Sequence, residues 1–208
     1  MARSRPLVLV LSVLTLSTLG ILSQPTAGAR QQFSSTIMCG KWRWPVKTLS
    51  DKRERRVNFS PRNRTVGVLR GLQAPSALGS TTPRILHSAE VRTYRVHVAI
   101  IGAARMDDHD IHLVIAPRAH HKRTMITEFP DTACNGAVSS PKKAAMKAAR
   151  AALVDTCPPI GSTFKKLAGK ATLIGVGFFD DVHGQPGVAP NGIELHPVLS
   201  FTGTCKSS

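Results

Sequence analysis

Two short segments of the chain pair a carboxylate with a histidine, with one residue between them. They are Asp110 and His112 in "DIHLVI", and Glu194 and His196 in "IELHPV". Histidine and carboxylate side chains ligate zinc and other divalent ions, and a bound metal can activate water for hydrolysis. If the four side chains converge, they predict a metal-dependent phosphodiester hydrolase or nuclease as one candidate function.

A polar loop, "DDVHGQPGVAPNG", precedes the second pair. Its glycine and proline residues set its turns, and its candidate functional side chains are Asp180, Asp181, His183, Gln185 and Asn191. The loop could line a binding face. Alternatively, its polar side chains serve the loop's own backbone, which is a common role of Asp and Asn. The second alternative favours a structural secreted domain without a dedicated ligand.

Other catalytic motifs are missing from the sequence. It contains neither the GxSxG of a serine hydrolase nor the GxxxxGK[ST] of a phosphate-binding loop. No catalytic residue can therefore be assigned, and we favour a protein without catalysis. We expect no cofactor, and a divalent metal ion belongs only to the hydrolase alternative.

The charge is strongly basic and unevenly distributed, with a formal net charge of +16. Residues 30–70 carry eleven Lys and Arg against two acids, and residues 142–170 carry seven against one. This asymmetry favours an exported binding module for an anionic partner: nucleic acid, an acidic polysaccharide or an envelope surface. The alternative is that the charge serves solubility alone. The candidate contact residues are Lys41, Arg43, Arg53, Arg55, Arg56, Lys142, Lys143 and Lys147.

Trp42 and Trp44 alternate with Lys41 and Arg43 in "KWRWP". Aromatic and basic groups together suit base stacking and phosphate contact in single-stranded nucleic acid binding. Tryptophan is usually well buried, however. We therefore favour the alternative in which both rings attach this segment to the domain beside Cys39.

The N-terminus predicts export. A basic start with Arg3 and Arg5 precedes the apolar run "PLVLVLSVLTLSTLGIL", and "TAGA" offers a cleavage site at Ala29. The run is too short and too interrupted to predict a membrane span. We expect a signal peptide over residues 1–29, a secreted or extracytoplasmic protein, and no transmembrane segment after cleavage.

Four cysteines follow the predicted signal peptide, and an even number in an exported chain predicts disulfides. Three connectivities are open. We favour Cys134–Cys157, which flank a predicted helix, together with Cys39–Cys205, which would join the two ends of the domain.

The hydrophobic pattern predicts a mainly β fold. Residues 30–64 form a basic extended arm and residues 65–72 a short extra strand. Alternating runs at 91–101, 110–116 and 124–129 predict a β-meander, a helix begins at Ser140-Pro141, and strands follow at 170–179 and 193–201. The order β-β-β-α-β-β over residues 65–208 is that of an OB-fold-like five-stranded barrel with one helix. A different α+β roll is the alternative.

The motifs "DIHLVI", "TMITEFPDTAC" and "GVGFFDDVHGQPGVAPNGIELHPVLSF" resemble those of an uncharacterised family of exported bacterial proteins with OB-like small domains. The resemblance implies an exported domain with this strand order. It supplies no substrate, cofactor or catalytic residue.

Overall fold

The computed structural model describes residues 39–208, so the predicted signal peptide and residues 30–38 of the predicted arm lie outside the described residues. The fold is mainly β. Its strands are β1 (Asn58–Asn63), β2 (Arg92–Arg105), β3 (Ile111–Ala116), β4 (Met125–Phe129), β5 (Lys165–Phe179) and β6 (Ile193–Ser207). Its α-helices are α1 (Trp44–Lys47), α2 (Val66–Arg70) and α3 (Lys143–Thr156), with 3₁₀ turns at Glu54–Arg56, Ala89–Val91 and Ala137–Ser139. From residue 39 onward, no helix is long and apolar enough to cross a membrane.

Five of the strands close into a hydrogen-bonded ring. The long strand β2 pairs antiparallel with both β3 and β5, β3 pairs antiparallel with β4, and β5 pairs antiparallel with β6. A short parallel pairing of β4 with β6 completes the ring. The sixth strand, β1, adds in parallel to the beginning of β2.

The core lies on one side of these strands because their side chains alternate between two faces. Ile111 and Leu113 of β3 and Ile193 and Leu195 of β6 are all buried in one apolar cluster. Helix α3 adds Leu153 to the same cluster. This arrangement confirms the alternation that the sequence predicts for β3 and β6, and it leaves Asp110, His112, Glu194 and His196 on the opposite face.

The predicted strand over residues 65–72 is wrong, because this segment contains helix α2. The side chain of Thr65 caps the helix by accepting a hydrogen bond from the backbone N–H of Val68. Val66 and Leu69 are buried at a spacing of three residues, which is a helical period. The extra strand of the fold is β1, which lies before this segment.

The predicted extended arm is also wrong over residues 39–51, whereas Asn58–Asn63 within it form the extended strand β1. Residues 39–51, called the cover segment below, contain α1 and pack against the domain. Leu49 is fully buried, and its backbone carbonyl accepts a hydrogen bond from the hydroxyl of Ser140. Trp44 is buried as well, and its indole N–H donates to the carbonyl of Asn135. For Trp44, the prediction that the ring attaches the segment to the domain is confirmed.

All four cysteines form disulfides, but the favoured pairing is wrong. The bonds are Cys39–Cys134 and Cys157–Cys205, with Cα–Cα distances of 5.6 and 4.7 Å. Cys134 and Cys157 lie beyond opposite ends of α3, whose 14 residues span about 21 Å. A disulfide cannot bridge such a distance. Two disulfides fit an oxidising, extracytoplasmic compartment.

Candidate functional site

Three of the four predicted site residues meet on the outer face of the ring. His196 lies between two carboxylates: its Nε2 is 3.3 Å from Oδ2 of Asp110, and its Nδ1 is 3.6 Å from Oε2 of Glu194. All three side chains are almost completely buried. Alternation along β6 places Glu194 and His196 on one face, and the ring brings Asp110 to them.

His112 belongs to a separate pair. The antiparallel register of β3 and β4 sets it opposite Glu128, and its Nδ1 lies 2.9 Å from Oε1 of that carboxylate. Its Nε2 lies 2.8 Å from the backbone carbonyl of Pro186 in the polar loop. The carbonyl can only accept, so Nε2 carries a proton; opposite an ionised Glu128, Nδ1 carries one as well and the ring is an imidazolium cation.

The pKa values of these groups follow from burial and pairing. Burial lowers the pKa of His112, but the hydrogen bond to Glu128 and its negative charge outweigh burial and raise the pKa to about 9. Burial also lowers the pKa of His196, but the two adjacent carboxylates of Asp110 and Glu194 outweigh burial and raise the pKa to about 9. Burial raises the pKa of Glu194 to about 7 and that of Asp110 to about 6.

The convergence of four side chains that the metal-site alternative requires is not found among the described residues. Within residues 39–208, no group of three or more His, Cys, Asp or Glu side chains has a geometry that could hold a metal ion. The nitrogens of His196 face Asp110 and Glu194, while those of His112 face Glu128 and a carbonyl. The four residues are therefore divided between two ion-paired clusters and do not share a set of free ligand atoms.

The cover segment lies over this polar face and supplies two buried cations. Arg43 makes a two-point salt bridge to Glu90, with both distances at 2.7 Å, and lies over the ring of Phe178. Lys47 bonds Asp180 at 2.8 Å. Arg43 was predicted to contact an anionic partner, and this is wrong because the residue is 1% exposed.

The polar loop divides into structural and accessible side chains. The amide of Asn191 donates to the carbonyls of Leu69 and Leu72 and so ties the loop to α2. Gln185 bonds within the loop, donating to the carbonyl of Asp181 and accepting from the backbone of His183. Asp181 and His183 themselves are exposed.

Between the cover segment, the polar loop and the ring lies a cleft of about 430 Å³. Its walls combine aromatic, basic and acidic groups. They include Lys41, Trp42, Trp44, Lys47, Met106, Asp107, Asp108, His112, Glu128, Asp180, Asp181, His183, Gln185 and Glu194.

The remaining predicted basic contacts are on the surface. Lys41, Arg53, Arg55, Arg56 and Lys147 are exposed, and Lys142 and Lys143 are half-exposed. The ammonium group of Lys142 lies 3.9 Å from the centre of the Phe59 ring. This contact brings together the two basic segments that are widely separated in the sequence.

Sequence reasoning missed Glu128, which lies in the cleft, and Glu90, which pairs with Arg43. A signal for Glu128 existed. In "TMITEF", Met125 and Phe129 are core residues, so alternation places Glu128 on the outer face with His112. No local pattern indicates Glu90, because its partner is 47 residues away.

A scan against protein-family models finds no match to this chain. Searches of curated proteins and of solved structures find no match either.

Proposed function

We propose that the protein is an exported, non-catalytic module that binds an anionic polymer through its exposed basic surface. The supporting observation is the charge of the accessible side chains. Among residues 39–208, the exposed acids are Asp107, Asp155 and Asp181. The exposed cations are Lys41, Lys52, Arg53, Arg55, Arg56, Arg62, Arg64, Arg105, Arg118, Lys122, Arg123, Lys147, Lys165, Lys166, Lys170 and Lys206. Most carboxylates are instead buried or half-buried, so the surface field is more positive than the sequence charge alone indicates.

The contact surface that we propose is a basic ridge made of Lys52, Arg55, Arg56, Lys142, Lys143 and Lys147. The stacking of Lys142 on Phe59 joins its two parts. Lys143 and Lys147 lie four residues apart in α3, on the same face of the helix. Phe59 is half-exposed and lies beside these cations. Its ring can stack on a base or a sugar of the polymer, while the cations contact the polymer's negative charges.

We further infer that the ring is a barrel of the OB type. The inference rests on the strand order β2-β3-β4-β6-β5, on the parallel pairing of β4 with β6, and on the position of α3 between β4 and β5. OB-folds bind oligonucleotides and oligosaccharides. A metal-dependent hydrolase has no comparable support, because the predicted ligand atoms are already engaged in ion pairs.

Charge removal on the ridge tests the proposal. Binding of a DNA duplex and of an acidic polysaccharide is measured for the wild-type protein and for the triple variant Lys142→Gln, Lys143→Gln, Lys147→Gln. We expect the affinity for the bound polymer to fall by about tenfold or more, since fewer counterions are displaced.

A matched control removes three exposed lysines elsewhere: Lys165→Gln, Lys166→Gln, Lys170→Gln. Lys165 pairs with Ala103 near the end of β2, whereas Asn58 of β1 pairs with Arg92 at its beginning. These points are about 35 Å apart along the strand. If both triple variants lose the same affinity, the ridge is not the contact surface. If the wild-type protein binds neither polymer at low salt, the proposed function itself is wrong.

A further inference from the structure

The cleft carries a negative charge that contrasts with the rest of the surface. Two of the exposed acids, Asp107 and Asp181, lie in its walls beside the half-buried Asp108. None of these three has a salt bridge within residues 39–208, whereas Asp180 is paired with Lys47. Acids outnumber Lys41, Lys47 and His112 in the walls, and a cleft with an excess of one sign of charge attracts ions of the opposite sign. The cleft therefore favours a cationic ligand on a protein whose outer surface favours anions.

Buried polar atoms of the cleft lack hydrogen-bond partners. Oε2 of Glu128 has none, although the residue is only 7% exposed. The indole N–H of Trp42 has none either. Buried polar groups in proteins are normally satisfied, and leaving one unsatisfied is destabilising. These atoms specify a ligand that donates to carboxylates and accepts from an indole.

The two tryptophans of the cleft differ in this respect. The N–H of Trp44 is bound to the carbonyl of Asn135, so this ring is part of the scaffold. Trp42 is half-buried and keeps its N–H free of a protein partner. The disulfide Cys39–Cys134 fixes the chain next to both rings. Trp42 is thus held in place with an unused donor, as expected of a residue that contacts a ligand.

We propose that this cleft binds a small hydroxylated ligand that carries a primary ammonium group, of the amino-sugar class. The ammonium group of the ligand donates hydrogen bonds to the acidic wall of the cleft. Hydroxyl or ring oxygens of the ligand accept hydrogen bonds from Trp42 and Lys41. An indole ring of the cleft offers a flat apolar surface on which the sugar ring can pack. A volume of about 430 Å³ is within the usual range of small-ligand sites. An inorganic cation would not fit this site, because it could not accept a hydrogen bond from Trp42. The proposal does not depend on polymer binding at the basic ridge.

The ammonium group is tested with two disaccharides of the same sugar backbone and linkage. One is the β-1,4-linked dimer of glucosamine, which has free amines, and the other is its N-acetylated form, which is uncharged. Calorimetric titration of the wild-type protein is expected to show binding of the amine form, and binding of the acetylated form at least about tenfold weaker, because a charge-assisted hydrogen bond is lost. Equal affinities, or no binding of the amine form, would overturn the proposal.

Two substitutions locate the site. Trp42→Phe keeps an aromatic ring but removes the N–H, and Asp181→Asn removes an exposed charge of the wall without affecting packing. Each is expected to weaken binding of the amine form several-fold. Asp155→Asn removes an equally exposed charge on α3, outside the cleft, and is expected to leave affinity unchanged. Equal losses for Asp181→Asn and Asp155→Asn, or full affinity in Trp42→Phe, would place the ligand elsewhere and overturn the proposal.

Discussion

His112 is the residue that connects the polar loop to the ring. One nitrogen holds Glu128 of β4, and the other holds the carbonyl of Pro186 in the loop. Only one of the two bonds survives if the ring loses a proton, because a neutral imidazole keeps one donor and presents an acceptor at the other nitrogen. The charge of His112 therefore determines whether this one side chain can donate to Glu128 of β4 and to the polar loop at the same time.

The substitution His112→Gln is expected to be strongly destabilising below pH 7, by about 3–5 kcal/mol, because it leaves Glu128 buried without its cation. The pKa of His112 is raised from 6.5 in the unfolded chain to about 9 in the folded protein. Its contribution is therefore fully present below pH 6.5 and is lost as the pH rises through about 9. Urea denaturation of both proteins at pH 6, 8 and 10 should show the difference in unfolding free energy shrinking at the highest pH.

The exposed residue His120 provides a control for this experiment. His120→Gln should leave the free energy of unfolding nearly unchanged at each pH. A difference between wild type and His112→Gln that stays constant from pH 6 to 10 would contradict the raised pKa and the doubly bonded imidazolium.

At the scale of elements, the cover segment determines the character of the candidate site. Without it, Asp110, Glu194 and His196 would lie on an open face of the ring and could be solvated. With it, they are buried and must pair with each other, since an unpaired buried charge is costly. The same segment buries Arg43 and provides Trp42 and Lys47 to the cleft.

The disulfide Cys39–Cys134 should hold this segment in place. The double variant Cys39→Ser, Cys134→Ser is expected to lose about 4 kcal/mol of unfolding free energy, because the bond closes a long loop. Both tryptophans of the protein lie within the cover segment. Their fluorescence under native conditions should therefore shift to longer wavelength as the segment loosens.

The variant Cys157→Ser, Cys205→Ser is the matched control. It should also lower stability, since its bond closes a loop of 48 residues in the sequence, but it should leave tryptophan emission unchanged under native conditions. Identical emission in both variants would show that the first disulfide does not fix the cover segment. Mass mapping of a non-reduced digest checks the pairing itself.

At the scale of the whole molecule, the distribution of charge has two opposite parts. Exposed cations dominate the described surface, while unpaired acids gather in the cleft. If polymer binding is electrostatic, its affinity depends on counterion release and falls steeply with salt. The salt dependence of the affinity therefore distinguishes binding at the cationic surface from binding in the acidic cleft.

The logarithm of the affinity for an anionic polymer should fall linearly with the logarithm of the salt concentration. A protein that makes six phosphate contacts, as the ridge would, is expected to show a slope of about −5 on duplex DNA. Titrations between 50 and 200 mM salt measure this slope. Amino-sugar binding in the cleft should weaken less over the same range, since it involves few charges. A polymer slope near zero would contradict electrostatic recognition.

The sequence by itself determined the elements whose signal is local. Alternation predicted β3 and β4 nearly to their boundaries and β6 at its start but not at its end, and Pro158 correctly limits helix α3. An even number of cysteines predicted disulfides. The period of the hydrophobic pattern and the turn residues each depend on only a few neighbouring residues. They can therefore be interpreted without knowledge of the fold. In "TVGVLRGL", two local signals compete: the β-branched residues favour a strand, and Thr65 favours a helix as its N-cap. The segment forms a helix, which the side chain of Thr65 caps.

Only the tertiary structure decided which partners meet. It paired Cys39 with Cys134, Arg43 with Glu90 across 47 residues, and His196 with Asp110. It also packed residues 39–51 of the predicted basic arm against the domain, so that Arg43 forms a buried ion pair with Glu90 instead of a surface contact. These outcomes depend on distances through space that no local pattern encodes. The same side chains on an open strand face could have been metal ligands, but burial makes them neutralise one another.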